Sequence, residues 1–316
     1  MNEVVVTGIG VVSPFGIGKE PFISGLKKNI RKEPVPVPEF RGTSLEGQQV
    51  GFIPDLKQAS KSLPRKLVKF MSQAALIGCI AGKEAANEAS VQDRFSPEQV
   101  GIFAATGLTA ANIDTATGML NACMDSHGNF SEKLFGEISL GLMNPLNSFQ
   151  VLPNMPPCIL SVLLGIKGPN LIFNPWEGQG GAAILEGLRA VQDGHADCVL
   201  AGAADMPSAP STVVYLKQMN FIKQGEYPSP AGAYLVLESR DRAEQDRQKI
   251  YGVLKSVSVQ SANENTSDPL AEQIGRTFAA APAILLASVL MGIGISSKLV
   301  GTRGVSVEFR TYRTED

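Results

Sequence analysis

Short, unbroken apolar runs alternate with helical patterns along most of this chain, and nothing else in the sequence restricts the fold as much. Residues 3–9 read as a strand closed by a turn at Thr7-Gly8-Ile9-Gly10, and 21–29 read as a short helix. Pro34, Pro36 and Pro38 alternate with valines in an extended connector. Residues 67–90 have helical periodicity, 100–105 form a strand ending at Thr106-Gly107, and 160–164 lie on a helix stopped by Gly165 and Gly168-Pro169. Leu171-Ile172-Phe173 then reads as a buried strand, 180–192 as a helix, and 198–202, 234–238, 251–259 and 305–310 as further strands. This pattern predicts an α/β fold whose sheet is covered on both faces. The dense charge run 238–249 predicts a solvated helix face.

Composition narrows the function classes. With 316 residues the chain has room for one large domain or two fused halves. A hydrophobic content of 44% against 18% charged excludes a disordered chain. The 28 Lys plus Arg are matched by 30 Asp plus Glu, which argues against a nucleic-acid partner. The uncharged stretch 277–297 is long enough to cross a bilayer. Its alanines, the interior Pro282, and Gly292 and Gly294 favour instead a buried helix running into a glycine turn, so no membrane partner is expected. The strand that starts at once after Met1 shows no signal-peptide pattern, which predicts a reducing, cytoplasmic setting. Cys79, Cys123, Cys158 and Cys198 lie far apart, read as core or turn residues, and give no zinc-ligand pattern. The two histidines, His127 and His195, fall in polar turns and leave little material for imidazole chemistry.

Several segments together resemble the β-ketoacyl synthase family of the thiolase superfamily. They are Val4-Val5-Val6-Thr7-Gly8-Ile9-Gly10 with the following Val11 to Gly16, Pro153-Asn154-Met155 with Leu164 to Asn170, Gly194-His195-Ala196-Asp197 with Cys198 to Asp205, and Tyr234 to Glu238. The match runs in register over roughly residues 1–255. The resemblance implies a thiolase-like layered αβαβα fold. Only 57 residues follow 259, fewer than the family's second half has, so that half is expected to be shortened: 1–240 form the first thiolase-like half and 241–316 a truncated second one. The helix over 278–291 resembles the one that follows the family's second histidine, and Gly301-Thr302-Arg303-Gly304 a reduced form of its glycine-rich motif.

In this family a cysteine at the N-terminus of a buried helix is the nucleophile. The helix dipole favours its thiolate, and the backbone amides there form an oxyanion hole. Counting from Asn170 without gaps puts Glu177 at that position, and a slip of two puts Gln179 there. Neither is a thiol. A carboxylate sits well at a helix N-terminus and accepts an acyl chain poorly, so Glu177 is expected to be a cap or plug. Neither His127 nor His195 matches the family's two catalytic histidines.

Fold kept with chemistry lost resembles the chain length factor, the ketosynthase-like β subunit of a type II polyketide synthase. The resemblance implies a non-catalytic subunit that heterodimerises with an active ketosynthase α subunit and shapes the tunnel for the growing chain. It implies no cofactor on this chain, the substrate riding on the phosphopantetheine of an acyl carrier protein. Tunnel and chain-length residues would be Ala111, Asp114, Thr115, Gly118 and Met119, on the helix after Thr106-Gly107. The strand Leu171, Ile172, Phe173 and Asn174 would pair across the dimer axis, and Lys61, Arg65, Lys66 and Lys69 would meet the carrier protein. Two alternatives stay open: a decarboxylating ketosynthase-like subunit that uses Glu177, and a purely structural ketosynthase partner.

Overall fold

The computed structural model describes residues 3–108, 113–142, 145–293 and 295–312. Its strands are β1 (Val4–Ser13), β2 (Gly16–Ile17), β3 (Val35–Pro36), β4 (Gln49–Val50), β5 (Val100–Thr106), β6 (Asn170–Phe173), β7 (Cys198–Asp205), β8 (Ala231–Ser239), β9 (Gly252–Ser261), β10 (Lys298–Val300) and β11 (Val305–Tyr312). β3 and β4 pair with each other. The rest join one mixed sheet in the order β10-β11-β9-β1-β8-β7-β5-β6, with β2 beside β1. β5 runs parallel to β6 and β7, whereas β1–β8, β7–β8 and β9–β11 are antiparallel.

Side chains alternate across a strand, so an apolar strand with helices on both faces feeds two cores. In β5, Phe103 and Ala105 enter one core while Ile102 and Ala104 enter the other. In β8, Leu235 and Leu237 divide from Tyr234 and Val236 in the same way. Helices Gln73–Glu88 and Met155–Leu164 supply the second core, and helices Glu177–Gln192 and Ala281–Leu290 the first. The Glu177–Gln192 helix is itself sandwiched. A Cβ added at Gly187 would meet Ala201 and Val199 of β7 at 3.0–3.1 Å, and one added at Gly181 would meet Val307 of β11 at 2.7 Å. The layers therefore run helix, sheet, helix, sheet, four of the five layers of the expected thiolase-like αβαβα arrangement.

Four expectations need correction. The strand over 3–9 does not turn at Thr7-Gly8-Ile9-Gly10: β1 continues to Ser13, every residue buried. The glycines there serve close packing, since a Cβ at Gly10 would stand 1.9 Å from the Ala81 carbonyl oxygen of the Gln73–Glu88 helix. The sheet is not covered on both faces throughout: in β9 and β11, Val257, Val307 and Phe309 are buried while Lys255, Gln260 and Arg310 are exposed. β6 is not a buried strand, because it ends the sheet and pairs only with β5 among the described residues. Leu171 is consequently 47% exposed. Finally, the charge run 238–249 is not wholly solvated: Glu238 is fully buried, held by Arg94 Nη1 and Nη2 at 2.9 and 2.5 Å and by the Thr7 hydroxyl at 2.6 Å.

The stretch 277–297 folds as expected into a 3-10 turn at Phe278–Ala280 and the buried helix Ala281–Leu290. Gly292 turns the chain with φ 76°, while Gly294 lies outside the described residues. No helix among the described residues is long and apolar enough to cross a membrane.

Candidate functional site

The parallel strands β5, β6 and β7 bring their C-terminal ends to one side of the sheet. Thr106 and Asp205 end β5 and β7, and the chain leaving β6 turns into the Glu177–Gln192 helix. Asn174 ties these ends together, its side-chain amide donating to the Thr106 carbonyl at 2.9 Å. The turn into the helix passes through Trp176 at φ 81°, a region that costs a non-glycine residue about 1–3 kcal/mol. An aromatic cluster holds it: the rings of Tyr215, Phe221 and Phe278 have centroids 5.1–6.4 Å from Trp176. The guanidinium of exposed Arg303 lies 5.1 Å above the Trp176 ring.

Glu177 is the first residue of the helix, and it is buried, whereas Gln179 is exposed. The ungapped count thus lands on the buried first residue of this helix, and the slipped count on an exposed one. Its carboxylate is fully engaged. Oε1 accepts from Arg276 Nη2 at 2.8 Å and from the Thr302 hydroxyl at 2.9 Å, and Oε2 accepts from the Thr302 backbone N–H at 3.2 Å. Arg276 is also 2% exposed, and its Nη1 reaches Glu226 at 3.4 Å. Burial alone would pull the guanidinium's pKa down, but Glu177, Asp268 and Glu226 more than offset this and raise it. Arg276 stands just ahead of the Phe278–Met291 segment. By the resemblance, that is the neighbourhood from which an imidazole would face the nucleophile. A buried ion pair therefore closes the start of the Glu177–Gln192 helix.

No cysteine offers a substitute. Burial raises the Cys79 thiol to about 12 and the Cys198 thiol well above its ordinary value, so neither is a thiolate at neutral pH. Cys123 is buried as expected, but Cys158 is neither core nor turn: it is exposed on the Met155–Leu164 helix. His127 and His195 are both exposed, as expected.

The other candidate residues are scattered. Ala111 lies outside the described residues. Asp114 and Thr115 belong to the Ile113–Ala122 helix, on which Gly118 is exposed and Met119 half-buried. Lys61, Arg65, Lys66 and Lys69 are all exposed, and no ion pair engages them among the described residues. Sequence reasoning missed Arg276 and Thr302, the partners of Glu177. It also missed a cavity of about 960 Å³ whose walls include Thr106, Gly107, Leu108 and Asp205. Neither Gly118 nor Met119 lines it.

Comparison with known proteins agrees with this fold. Residues 1–233 match the family described as beta-ketoacyl synthase, N-terminal domain, and the chain belongs to that family. It is 25% identical over 210 residues to the 3-oxoacyl-acyl-carrier-protein synthase 2 of Synechocystis sp., covering 66% of this chain and 47% of that protein. It is 25% identical over 219 residues to a β-ketoacyl synthase of Streptomyces rimosus named for oxytetracycline polyketide, covering 67% and 48%. The chain thus spans about half the length of the curated relatives it matches. Among solved structures it resembles a chain of the AntDE:AntF complex, described as a type II polyketide synthase acyl-carrier protein with its ketosynthase bound to the hexaketide. There the TM-score is 0.77 at 17% identity, with 99% of this chain and 100% of that one covered. The ishigamide ketosynthase/chain length factor gives 0.77 at 14% identity, with the same coverage. At such identities the likeness establishes the fold, a mixed α/β ketosynthase fold.

Proposed function

We propose that this chain is a non-catalytic chain length factor, the partner of an active ketosynthase α subunit in a type II polyketide synthase. The observation that carries the reading is the Glu177–Arg276–Thr302 network. By the family resemblance it stands where the nucleophile would be in a ketosynthase fold, with neither a thiol to acylate nor an imidazole to activate an extender unit beside it among the described residues. The substrate would arrive on the phosphopantetheine of an acyl carrier protein, met by Lys61, Arg65, Lys66 and Lys69, and this chain would need no cofactor. The same network weakens the decarboxylating alternative, because both carboxylate oxygens of Glu177 already accept hydrogen bonds. We also carry forward the division into halves at residue 240 and the cytoplasmic setting.

Partnership is supported by the edge of β6, which pairs only with β5 among the described residues and is a liability in a lone chain. The segment between β5 and β6 also exposes Leu120, Phe135, Ile138 and Leu142. The chain is expected to be poorly soluble alone and to co-purify with its ketosynthase. Leu171→Lys on the edge strand should weaken that complex by about a hundredfold, the scale of a well-packed interface residue. Tight binding by a folded Leu171→Lys variant, or a stable monomer by light scattering, would overturn the pairing reading.

Tunnel shaping is tested separately. Phe at Ala111 or Gly118 should shorten the polyketides made by the reconstituted complex, as read by mass spectrometry. Unchanged products from assembled variants would leave the purely structural partner as the better account.

A further inference from the structure

The turn Gly301-Thr302-Arg303-Gly304, between β10 and β11, lies on the buried Glu177–Arg276 pair. A Cβ added at Gly301 would stand 2.8 Å from the Glu177 Cβ, so the main chain of the turn rests directly on that side chain. Its main-chain fastening is at its base. The Gly301 N–H donates to the Val305 carbonyl at 2.8 Å, and the Ala262 N–H to the Gly304 carbonyl at 2.7 Å. Above the base the turn has two holds. Thr302 donates its backbone N–H and its hydroxyl to Glu177, and its oxygen accepts from Arg276 Nη2 at 2.9 Å. Arg303 lays its guanidinium 5.1 Å from the ring centre of Trp176 and 5.8 Å from that of Phe221. Arg303 is exposed, and no ion pair engages it among the described residues.

Neither hold is hydrophobic. The turn consists of two glycines, a half-buried threonine and an exposed arginine, so it adds no apolar side chain to a core. What it does is keep water from a carboxylate and a guanidinium, and withdrawing such charges from water is costly. Lifting the turn returns water to both groups and leaves their own 2.8 Å contact intact. The aromatic faces under Arg303 would stay in place, because Trp176 packs on Tyr215, Phe221 and Phe278, which belong to other parts of the chain. The strained φ of 81° at Trp176 persists for the same reason.

We propose that the Gly301–Gly304 turn is a latch over the start of the Glu177–Gln192 helix, that it opens as a unit without unfolding the strands on either side, and that Arg303 on Trp176 and Phe221 is the catch that holds it shut. Closed, it seals the ion pair; open, it exposes Glu177, Arg276 and the helix start to solvent. The latch uses this chain's own contacts alone and stands whether or not a ketosynthase is the partner.

Trp176 is the sole tryptophan of the chain, so its fluorescence reports the catch directly. The test uses the full chain in whichever assembly it purifies, with acrylamide quenching of Trp176 and hydrogen exchange read residue by residue. In wild type the Thr302 N–H should exchange at a rate that low urea leaves unchanged, the mark of a local opening. The Phe309 N–H of β11, which donates to the Ser297 carbonyl, should instead exchange faster with each addition of urea. Arg303→Ala should speed Thr302 exchange and Trp176 quenching by about two- to fivefold, the scale of one exposed cation–π contact, and leave Phe309 exchange unchanged. Arg303→Lys keeps a cation and should fall between the two. Thr302 exchange that rises with urea in step with Phe309 overturns the latch, and the wild-type series decides this without any variant. Unchanged Thr302 exchange or unchanged quenching in Arg303→Ala overturns the catch.

Discussion

Replacing Arg276 by leucine should lower the free energy of unfolding by about 3–5 kcal/mol, the cost of leaving one member of a buried ion pair uncompensated. Both Glu177 and Arg276 are 2% exposed, so water cannot screen the charge that remains. The Thr302 contacts would stay, but a hydroxyl and one backbone N–H do not neutralise a carboxylate. The double variant Glu177→Leu/Arg276→Leu removes both charges and should recover most of the loss. Replacing a buried pair by apolar groups of similar size is often neutral or stabilising. Glu226, the other carboxylate in an ion pair with Arg276, is part-exposed and returns to water. Urea unfolding of the two single variants and the double variant checks this. If the single variants cost less than about 1 kcal/mol, or their losses simply add in the double, the network is not the closed plug described here.

Gly10→Ala should be among the most damaging small substitutions at the described glycines. The added methyl would sit 1.9 Å from the Ala81 carbonyl oxygen and 2.9 Å from the Ala85 backbone nitrogen. These are main-chain atoms of a helix, so no rotamer change relieves the clash. The helix must lift off β1, and the core on that face opens with it. The loss should reach or exceed the upper end of the ~1–3 kcal/mol typical of overpacked cores. Gly118→Ala is the control. Nothing lies within 4 Å of a Cβ there, and the residue sits exposed in the Ile113–Ala122 helix. It should stabilise the protein by roughly 0.5–1 kcal/mol through helix propensity alone. Thermal melts of the two alanine variants should therefore move in opposite directions. Equal shifts would mean that β1 and its helix are not packed as closely as described.

Periodicity carried the strands and helices well, because an apolar strand between helices leaves an unbroken run that a solvent-facing strand cannot. It failed where packing between distant elements decided the outcome. Gly8 and Gly10 look like turn glycines until the helix that needs their missing side chains is in place. Leu171 has the composition of a buried strand, and only the strand order exposes it. The site divides in the same way. Glu177 was found by counting along one segment, but Arg276 lies 99 residues from it and Thr302 125 residues from it, so no local pattern joins them. One signal was available: Arg276 immediately precedes the charge-free stretch 277–297. An arginine at the mouth of a buried helix needs a carboxylate, and Glu177 at a buried helix start needs a cation. Asp205 gave no comparable sign, since the burial of its Oδ1 against Gly107 is visible only once the ends of β5 and β7 lie side by side.

The sandwiched Glu177–Gln192 helix has a thermodynamic consequence. The family match ends at residue 233, yet this helix has one flank on β5 and β7 and the other on β9 and β11. Its first charge is balanced by residues 276 and 302. β9, β11 and the Arg276 and Thr302 contacts should therefore unfold together with the elements that come before residue 233. Melting β9 and β11 would strip one side of the central helix and strand the Glu177 charge in the same event. The boundary of the family match is a boundary of sequence likeness, and the folding free energy crosses it without a seam.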